Sequence, residues 1–254
     1  MKIAAIIPAR YESTRFRGKP LTAICRKPML QWVYEAVQRC KLIDQIFIAT
    51  DHAEIMQAGR RFGATVCMTD PAHATGTDRV AEVAGNLDAR IIVNIQGDEP
   101  LLTAEAISEA ITPLLEDETI PLGTLKTRID DESDMHNANV VKVVTDARDF
   151  ALYFSRSPIP FIKDKNTAVP VFRHIGLYVF RKDFLLTFTR LPQTVLEKAE
   201  SLEQLRALEH GYRIKAPSTN YKPVGVDTPE DLVRVENILM KITKYETTEA
   251  KTKS

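Results

Sequence analysis

KIAAIIPARYESTRFRGKP, Lys2 to Pro20, changes character at its middle. Ile3 to Pro8 is a near-continuous apolar run of strand length, which predicts a strand buried on both faces. Arg10, Arg15, Arg17 and Lys19 then crowd around a lone Glu12, with Gly18 and Pro20 closing the segment. The chain has 34 basic and 34 acidic residues, so this cluster stands out from its background. Downstream, PMLQWVYEAVQRC places Met29, Trp32, Val33, Ala36, Val37 and Cys40 on one helical face, with Pro28 near the start. QIFIATD reads as a second strand, AEIMQAGRRF as a helix stopped by Gly63, and ATVCMTD as a third strand. TDRVAEVAGNL follows as a helix and RIIVNIQGDEP as a fourth strand ending in carboxylates. Strands and helices alternating in this way predict right-handed crossovers and an α/β fold with a doubly wound, mostly parallel sheet. Such sheets bind ligands beyond the carboxyl ends of their strands. The cationic loop, ATGTDR and QGDEP all fall there.

From about Gly123 the texture changes. LGTLKTRI, NVVKVVTD, ALYFSRS and RHIGLYVFR read as strands with few helices between them. They predict a single domain over 1–244 to which 124–210 contributes a smaller, mixed-sheet lobe. SLEQLRALEHG predicts a helix closed at Gly211, followed by the strand YRIKAPST. The last helix opens on a strong start signal in DTPEDLVRVENILMKI, with Thr228 as N-cap and Pro229 at its first position. The polar tail KYETTEAKTKS has no apolar period, so 245–254 is expected to be flexible.

A hydrophobic content of 44% and a charged content of 27% describe an ordinary globular chain of 254 residues, long enough for a sizeable core. Zero net charge argues against a general nucleic-acid or membrane-surface binder, which needs a broad basic field. No apolar run approaches the ~20 residues of a membrane span, and the opening apolar run is too short for a signal peptide. Cys25, Cys40 and Cys67 lack metal-ligand spacing and read as buried thiols of a reducing cytoplasm.

Three clusters carry candidate chemistry. The opening loop is neither a P-loop nor a dinucleotide fingerprint, because GKP lacks the upstream glycine and the following Ser or Thr. Its cations lie along an extended segment, suited to wrapping a polyphosphate, with Lys19 as a point charge and the arginines as forked donors. The bland alternative is a solvated basic loop. Asp98, at the end of a buried strand beside Gly97, needs a cation or donors to offset its burial. Magnesium favours one or two carboxylates plus phosphate oxygens, and Asp227 in VGVDTPED is a natural second ligand or else a helix cap. In FSRSPIP and RHIGLY, Arg156, Arg173 and His174 are expected to present cations to a second, acidic substrate. A structural histidine is the alternative there.

IIPARYESTRFRGKPL, ATDH, TGTDRVAEV, IVNIQGDEP, ALYFSRSPIPF, RHIGLYVF, SLEQLRAL and GVDTPEDL occur in the order found in the 3-deoxy-manno-octulosonate (Kdo) cytidylyltransferases, the CMP-Kdo synthetases. The resemblance runs from Ile3 to about Glu236. It implies a Rossmann-like nucleotidyltransferase fold and a cytoplasmic, magnesium-dependent reaction of CTP with Kdo. The products would be CMP-Kdo, destined for lipopolysaccharide synthesis, and pyrophosphate. It also implies a homodimer formed through the smaller lobe. By resemblance Arg10, Ser13, Arg15 and Lys19 contact the triphosphate, while Pro8, Ala9, Gly76 and Arg79 shape the cytidine pocket. Asp98 and Asp227 match the magnesium ligands, which with Lys19 would form the catalytic group. Gln96, Arg156, His174, Tyr178, Glu203 and Gln204 match positions lining the sugar site.

The sequence departs from the family pattern at Arg17, where proline is usual, at Phe161, where tryptophan is common, and at Val195, where many members have proline. The loop KDKNTAVPVF is also short. None of these removes a residue assigned to the chemistry, but the last three bear on whether the sugar is Kdo or an 8-amino derivative. A CMP-sialate-type synthetase shares the opening loop yet should lack FSRSPIP and RHIGLY. A glycosyltransferase would release free nucleotide in place of pyrophosphate. A non-catalytic nucleotide-binding module should have lost Lys19 or Asp98, and both are present.

Overall fold

A computed structural model describes residues 2–12, 16–164, 166–226 and 228–252. The first strand, β1 (Ile3–Ala9), is buried on both sides: Ile3, Ala5, Ile7 and Ala9 enter one core cluster, Ala4 and Ile6 another. This alternation follows from the two-residue period of a strand set between two helical layers. A short hairpin, β2 (Ala23–Ile24) and β3 (Lys27–Pro28), turns through Cys25 (φ 46°) and Arg26 (φ 67°), the double positive φ of a primed two-residue turn.

The order continues with α1 (Met29–Gln38), β4 (Gln45–Thr50), α2 (Ala53–Arg61), β5 (Thr65–Met68), α3 (Gly76–Gly85), β6 (Ile91–Asn94) and α4 (Ala104–Glu116). Next come β7 (Leu122–Arg128), α5 (Glu132–His136), β8 (Lys142–Thr145), β9 (Ala151–Ser155), β10 (Phe172–Arg181), α6 (Lys182–Phe188) and α7 (Val195–Glu200). The chain closes with α8 (Gln204–Glu209), β11 (Ile214–Lys215) and α9 (Pro229–Thr252).

The main sheet runs β11-β7-β10-β6-β1-β4-β5. Its β6-β1-β4-β5 half is parallel, with Ala5 opposite Ile46 on one side and Val93 on the other. β10 is antiparallel to both β6 and β7, and β11 is parallel to β7. β8 pairs with the start of β10 and with β9, so this ribbon extends the sheet on that side. β7 and β10, both largely inside the expected lobe, are thus central strands of the main sheet.

Helices α1, α2 and α4 cover one face, contributing Leu30, Val33, Ile55, Ile107 and Leu114 to its core. Helices α3, α6 and α8 cover the other with Val80, Phe184, Phe188 and Leu205. A third cluster joins α9 to the hairpin and α1 through Ile24, Met29, Trp32, Val235 and Leu239. Close approach of β7 to α4 depends on Gly123, where a Cβ would lie 2.7 Å from Leu114 Cδ1.

Several elements went beyond the sequence reading: the β2–β3 hairpin and helices α4, α5, α6 and α7. α9 also continues to Thr252, through the tail expected to be flexible. Its Lys, Glu and Ala residues are good helix formers, and an apolar stripe is not required to extend an existing helix. Cys40 is buried, whereas Cys25 and Cys67 are half-buried; all three are free thiols.

Candidate functional site

The loop after β1 folds back on itself. Gly18, with φ of 68°, donates its N–H to the Tyr11 carbonyl at 2.8 Å. The Tyr11 ring stacks on His52 at a centroid distance of 3.9 Å, which seats the loop against the end of β4. Arg17 lies over the Tyr11 ring, 5.6 Å from its centroid, and pairs with Glu12 at 3.0 Å, both side chains exposed. Arg10 donates to the His73 carbonyl at 3.0 Å. Lys19 reaches across the strand ends, its Nζ 2.8 Å from Asp98 Oδ2, so the expected phosphate-binding cation and the expected metal-binding carboxylate are paired with each other.

Arg10, Glu12, Lys19 and Asp98 line a cleft of about 390 Å³ with Pro8, Ala9 and Gln96. Gly76, at the start of α3, packs against Pro8 of the cleft wall: a Cβ on Gly76 would touch Pro8 Cγ at 3.5 Å. Thr75 caps that helix start through a capping box with Asp78. Arg79 is fully buried behind the cleft, donating to Asp51 Oδ2 at 2.6 Å and to Thr69 Oγ1. Its charge is used to tie the ends of β4 and β5 to α3. Ser13, Arg15 and Asp227 lie outside the described residues, so the expected pairing of Asp227 with Asp98 does too. The neighbouring Val226 N–H donates to the Asp98 carbonyl at 3.1 Å. Asp98 itself is half-exposed to the cleft. Asp98, reachable from the cleft beside Lys19, is a carboxylate that would suit a magnesium ion taking its remaining ligands from phosphate and water.

A second cluster stands over the α3–α8 face. Thr77 Oγ1 donates to Glu203 Oε2 at 2.5 Å, and Asn94 Nδ2 lies 3.4 Å from the same hydroxyl. Gln96 extends this line toward the cleft, 3.5 Å from Asn94 Oδ1. Burial pushes the Glu203 carboxyl above its ordinary range, with the Thr77 bond opposing. Glu203 Oε1 makes no hydrogen bond but lies 3.9 Å from the Arg206 guanidinium, and Gln204 Nε2 is buried without a hydrogen-bond partner. Tyr178, opposite Asn94 across β10 and β6, has its phenol pushed up by desolvation and by Glu203.

Two sequence expectations are corrected in this region, those for His174 and Arg173, and Arg156 is found to carry a structural task. His174 does not present a cation: desolvation, then the Arg173 charge, hold its pKa down to about 3, so the ring is neutral. Arg173 points the other way, because successive strand residues alternate faces; its guanidinium lies 3.9 Å from Asp134. Arg156 has its fork engaged by three carbonyls, with Nε on Glu200 (2.7 Å), one terminal nitrogen on Ala138 (2.9 Å) and the other on Ser201 (3.3 Å). It therefore ties the end of β9 to the corner that leads into Glu203 and Gln204. Glu99 was missed. It accepts from the Tyr221 hydroxyl at 3.2 Å, and desolvation plus the Asp98 charge push its carboxyl up to about 7. Its only sequence signal was a second carboxylate in QGDEP.

The family profile described as Cytidylyltransferase matches residues 4–214. A 3-deoxy-manno-octulosonate cytidylyltransferase of Syntrophotalea carbinolica is 54% identical over 244 residues, covering 93% of this chain and 98% of the relative. The chain belongs to the 3-deoxy-manno-octulosonate cytidylyltransferase family. One from Geotalea uraniireducens is 53% identical over 251 residues, covering 95% of this chain and all (100%) of the relative. Among solved structures, a CMP:2-keto-3-deoxy-manno-octonic acid synthetase complexed with CTP superposes with a TM-score of 0.91 at 38% identity, covering 95% of this chain and 99% of that one. A 4-diphosphocytidyl-2C-methyl-D-erythritol synthase from Anaerococcus prevotii, at TM-score 0.62 and 16% identity over 94% of this chain and 96% of that one, shares the fold. The doubly wound nucleotidyltransferase fold expected from the sequence is the fold observed.

Proposed function

We propose that this chain transfers the cytidylyl group of CTP to Kdo, releasing pyrophosphate. One observation carries the reading: the cleft holding Arg10, Lys19 and Asp98 continues through Gln96 into the cluster of Asn94, Thr77 and Glu203. A triphosphate site and a polyhydroxyl site thus meet at Gln96. The names of the relatives and the CTP bound to the similar structure support the same chemistry.

In this reading Arg10, Arg15 and Lys19 spread the triphosphate charge, with Ser13 as a further donor. Pro8, Ala9 and Gly76 shape the wall for the cytosine, and buried Arg79 holds that wall in place. Gln96, Tyr178, Glu203 and Gln204 orient the sugar so that its anomeric hydroxyl lies in line with the α-phosphorus and the pyrophosphate leaves opposite. The chain acts by positioning and charge complementarity. Asp98 and Asp227 would hold magnesium, which acidifies a bound hydroxyl and offsets phosphate charge. We place the enzyme in the cytoplasm as a homodimer. Leu152, Phe161 and Val195, all within 124–210, are 63%, 89% and 78% exposed, and apolar side chains this exposed suit burial against a second copy. Among the described residues no helix is long and apolar enough to cross a membrane.

The deciding assay supplies CTP and magnesium with Kdo, 8-amino-Kdo or sialic acid, and follows pyrophosphate. Turnover with Kdo is expected to exceed that with sialic acid. Preference for 8-amino-Kdo would reassign the sugar, and no pyrophosphate with any of the three would reject the reading. Sedimentation should give twice the chain mass, and Phe161→Ser should shift it toward one.

A further inference from the structure

Thr124 lies in the middle of β7 and is completely buried. Its Oγ1 is 2.9 Å from His174 Nε2, 2.9 Å from the Ile175 carbonyl and 2.8 Å from the Leu177 carbonyl. These carbonyls border the stretch where β10 loses register with β7, between Ile175 and Val179. A hydroxyl has one proton and two lone pairs, and a carbonyl can only accept. The Thr124 proton is therefore directed to Ile175 and Leu177, and toward His174 the oxygen presents a lone pair. Nε2 must then carry the ring proton. Nδ1 is left as the bare nitrogen, and it has no partner among the described residues although the residue is only half-buried.

The ring is also fixed in place. Phe154 meets it edge-on at 5.0 Å, Tyr178 lies 5.4 Å away, and the backbone is held where the His174 main-chain N–H donates to the Val141 carbonyl at 2.8 Å. We infer that Thr124 is a positioning residue of the sugar site: it locks neutral His174 in the Nε2–H tautomer, so that Nδ1 accepts a hydrogen bond from a sugar hydroxyl. This assignment of the acceptor's target rests on the proposed sugar-activating function; the assignment of the tautomer does not. It separates His174 from any role in holding the sugar carboxylate, since a lone-pair donor repels an anion.

The test combines a ligand-free measurement with kinetics. Long-range proton–nitrogen correlation spectra of the folded, 15N-labelled enzyme should show His174 with a protonated Nε2 and a bare Nδ1. Thr124→Ser should preserve that pattern, and Thr124→Val should abolish it. With Kdo as substrate, Thr124→Val should raise the KM for sugar about three- to tenfold, the range of one neutral hydrogen bond. The KM for CTP should stay within about twofold, and Thr124→Ser should recover the sugar KM. A wild-type His174 protonated on Nδ1, or exchanging between tautomers, would overturn the inference even if Thr124→Val failed to fold. A locked tautomer together with an unchanged sugar KM in both Thr124→Val and His174→Ala would instead remove His174 from the sugar site and leave Thr124 a purely structural residue.

Discussion

The two halves of the candidate site solve different problems. Around β1 the working groups are charged, half-exposed and paired with each other: Lys19 with Asp98, Arg17 with Glu12. Over the α3–α8 face they are half-buried or buried and carry little net charge, with His174 neutral, Tyr178 un-ionised, Glu203 pushed toward protonation, and a donor without a hydrogen-bond partner on Gln204. The first half suits a ligand recognised by its charge, which can exchange ion pairs without large desolvation. The second suits a ligand recognised by the direction of its hydroxyls. Where buried polar groups must be matched one to one, discrimination is high because each mismatch strands a partner.

This contrast predicts a graded response. Asp98→Asn removes a full charge from the charged half and should lower turnover on the order of 10²-fold or more, a barrier increase of a few kcal/mol. Lys19→Ala should cost at least about tenfold. The double variant should fall short of the product of the two losses because the groups touch at 2.8 Å. Multiplicative losses would show that the ion pair is incidental to catalysis.

Arg156→Lys separates charge from geometry. A lysine keeps the cation but cannot serve three carbonyls from one planar fork. If Arg156 works by fixing the Glu200–Ser201 corner, Lys should harm the sugar KM nearly as much as Ala. Near wild-type kinetics for Arg156→Lys would show instead that the charge alone is what the sugar feels.

His174 gives a pH signature of intermediate size. Its folded pKa of about 3 lies below the ordinary 6.5, so the unfolded chain takes up a proton that the folded one refuses. The associated stability is present above pH 6.5 and is lost as pH falls through the window toward 3, at ~1.4 kcal/mol per pH unit. Between pH 7 and pH 5 the wild type should therefore lose about 2 kcal/mol that His174→Gln does not lose. Denaturant titrations at the two pH values check this, and parallel losses in both proteins would put His174 in solvent. The smallest effect belongs to Arg17→Ala. An exposed pair of this kind is worth at most about 1 kcal/mol, so melting temperature and the KM for CTP should barely change. A tenfold rise in that KM would move Arg17 into the triphosphate site.

Much of the charged half was legible because its signals are local: an apolar run, then cations, then a glycine, at a strand end whose role topology fixes. The parallel strands and α1 to α3 were readable from their periods. α4 also had a readable period in Ala106, Ile107, Ala110, Ile111 and Leu114, but Pro113 near its end obscures it. The buried half was legible in residue identity and not in state. Nothing in RHIGLY says that His174 is desolvated or that Thr124, fifty positions earlier, lies against it. Nothing in FSRSP says that three carbonyls from two other segments converge on Arg156. Protonation and tautomer are set by the neighbours that folding brings, and those neighbours are distant in sequence.

The docking of α9 gives the molecule a built-in optical probe. The chain contains one tryptophan, Trp32, whose indole N–H donates to the Ile24 carbonyl at 2.9 Å and whose ring is shielded by the cluster that includes Val235 and Leu239. Glu236 in the same helix accepts from the Cys25 N–H, 211 positions away, at 3.0 Å. Contacts of such long sequence separation close late, since the loop entropy must be met before they form. Emission from this single indole should therefore move to shorter wavelength as the last helix arrives. Stopped-flow fluorescence would then time the final step of assembly, separately from formation of the sheet that far-ultraviolet circular dichroism follows.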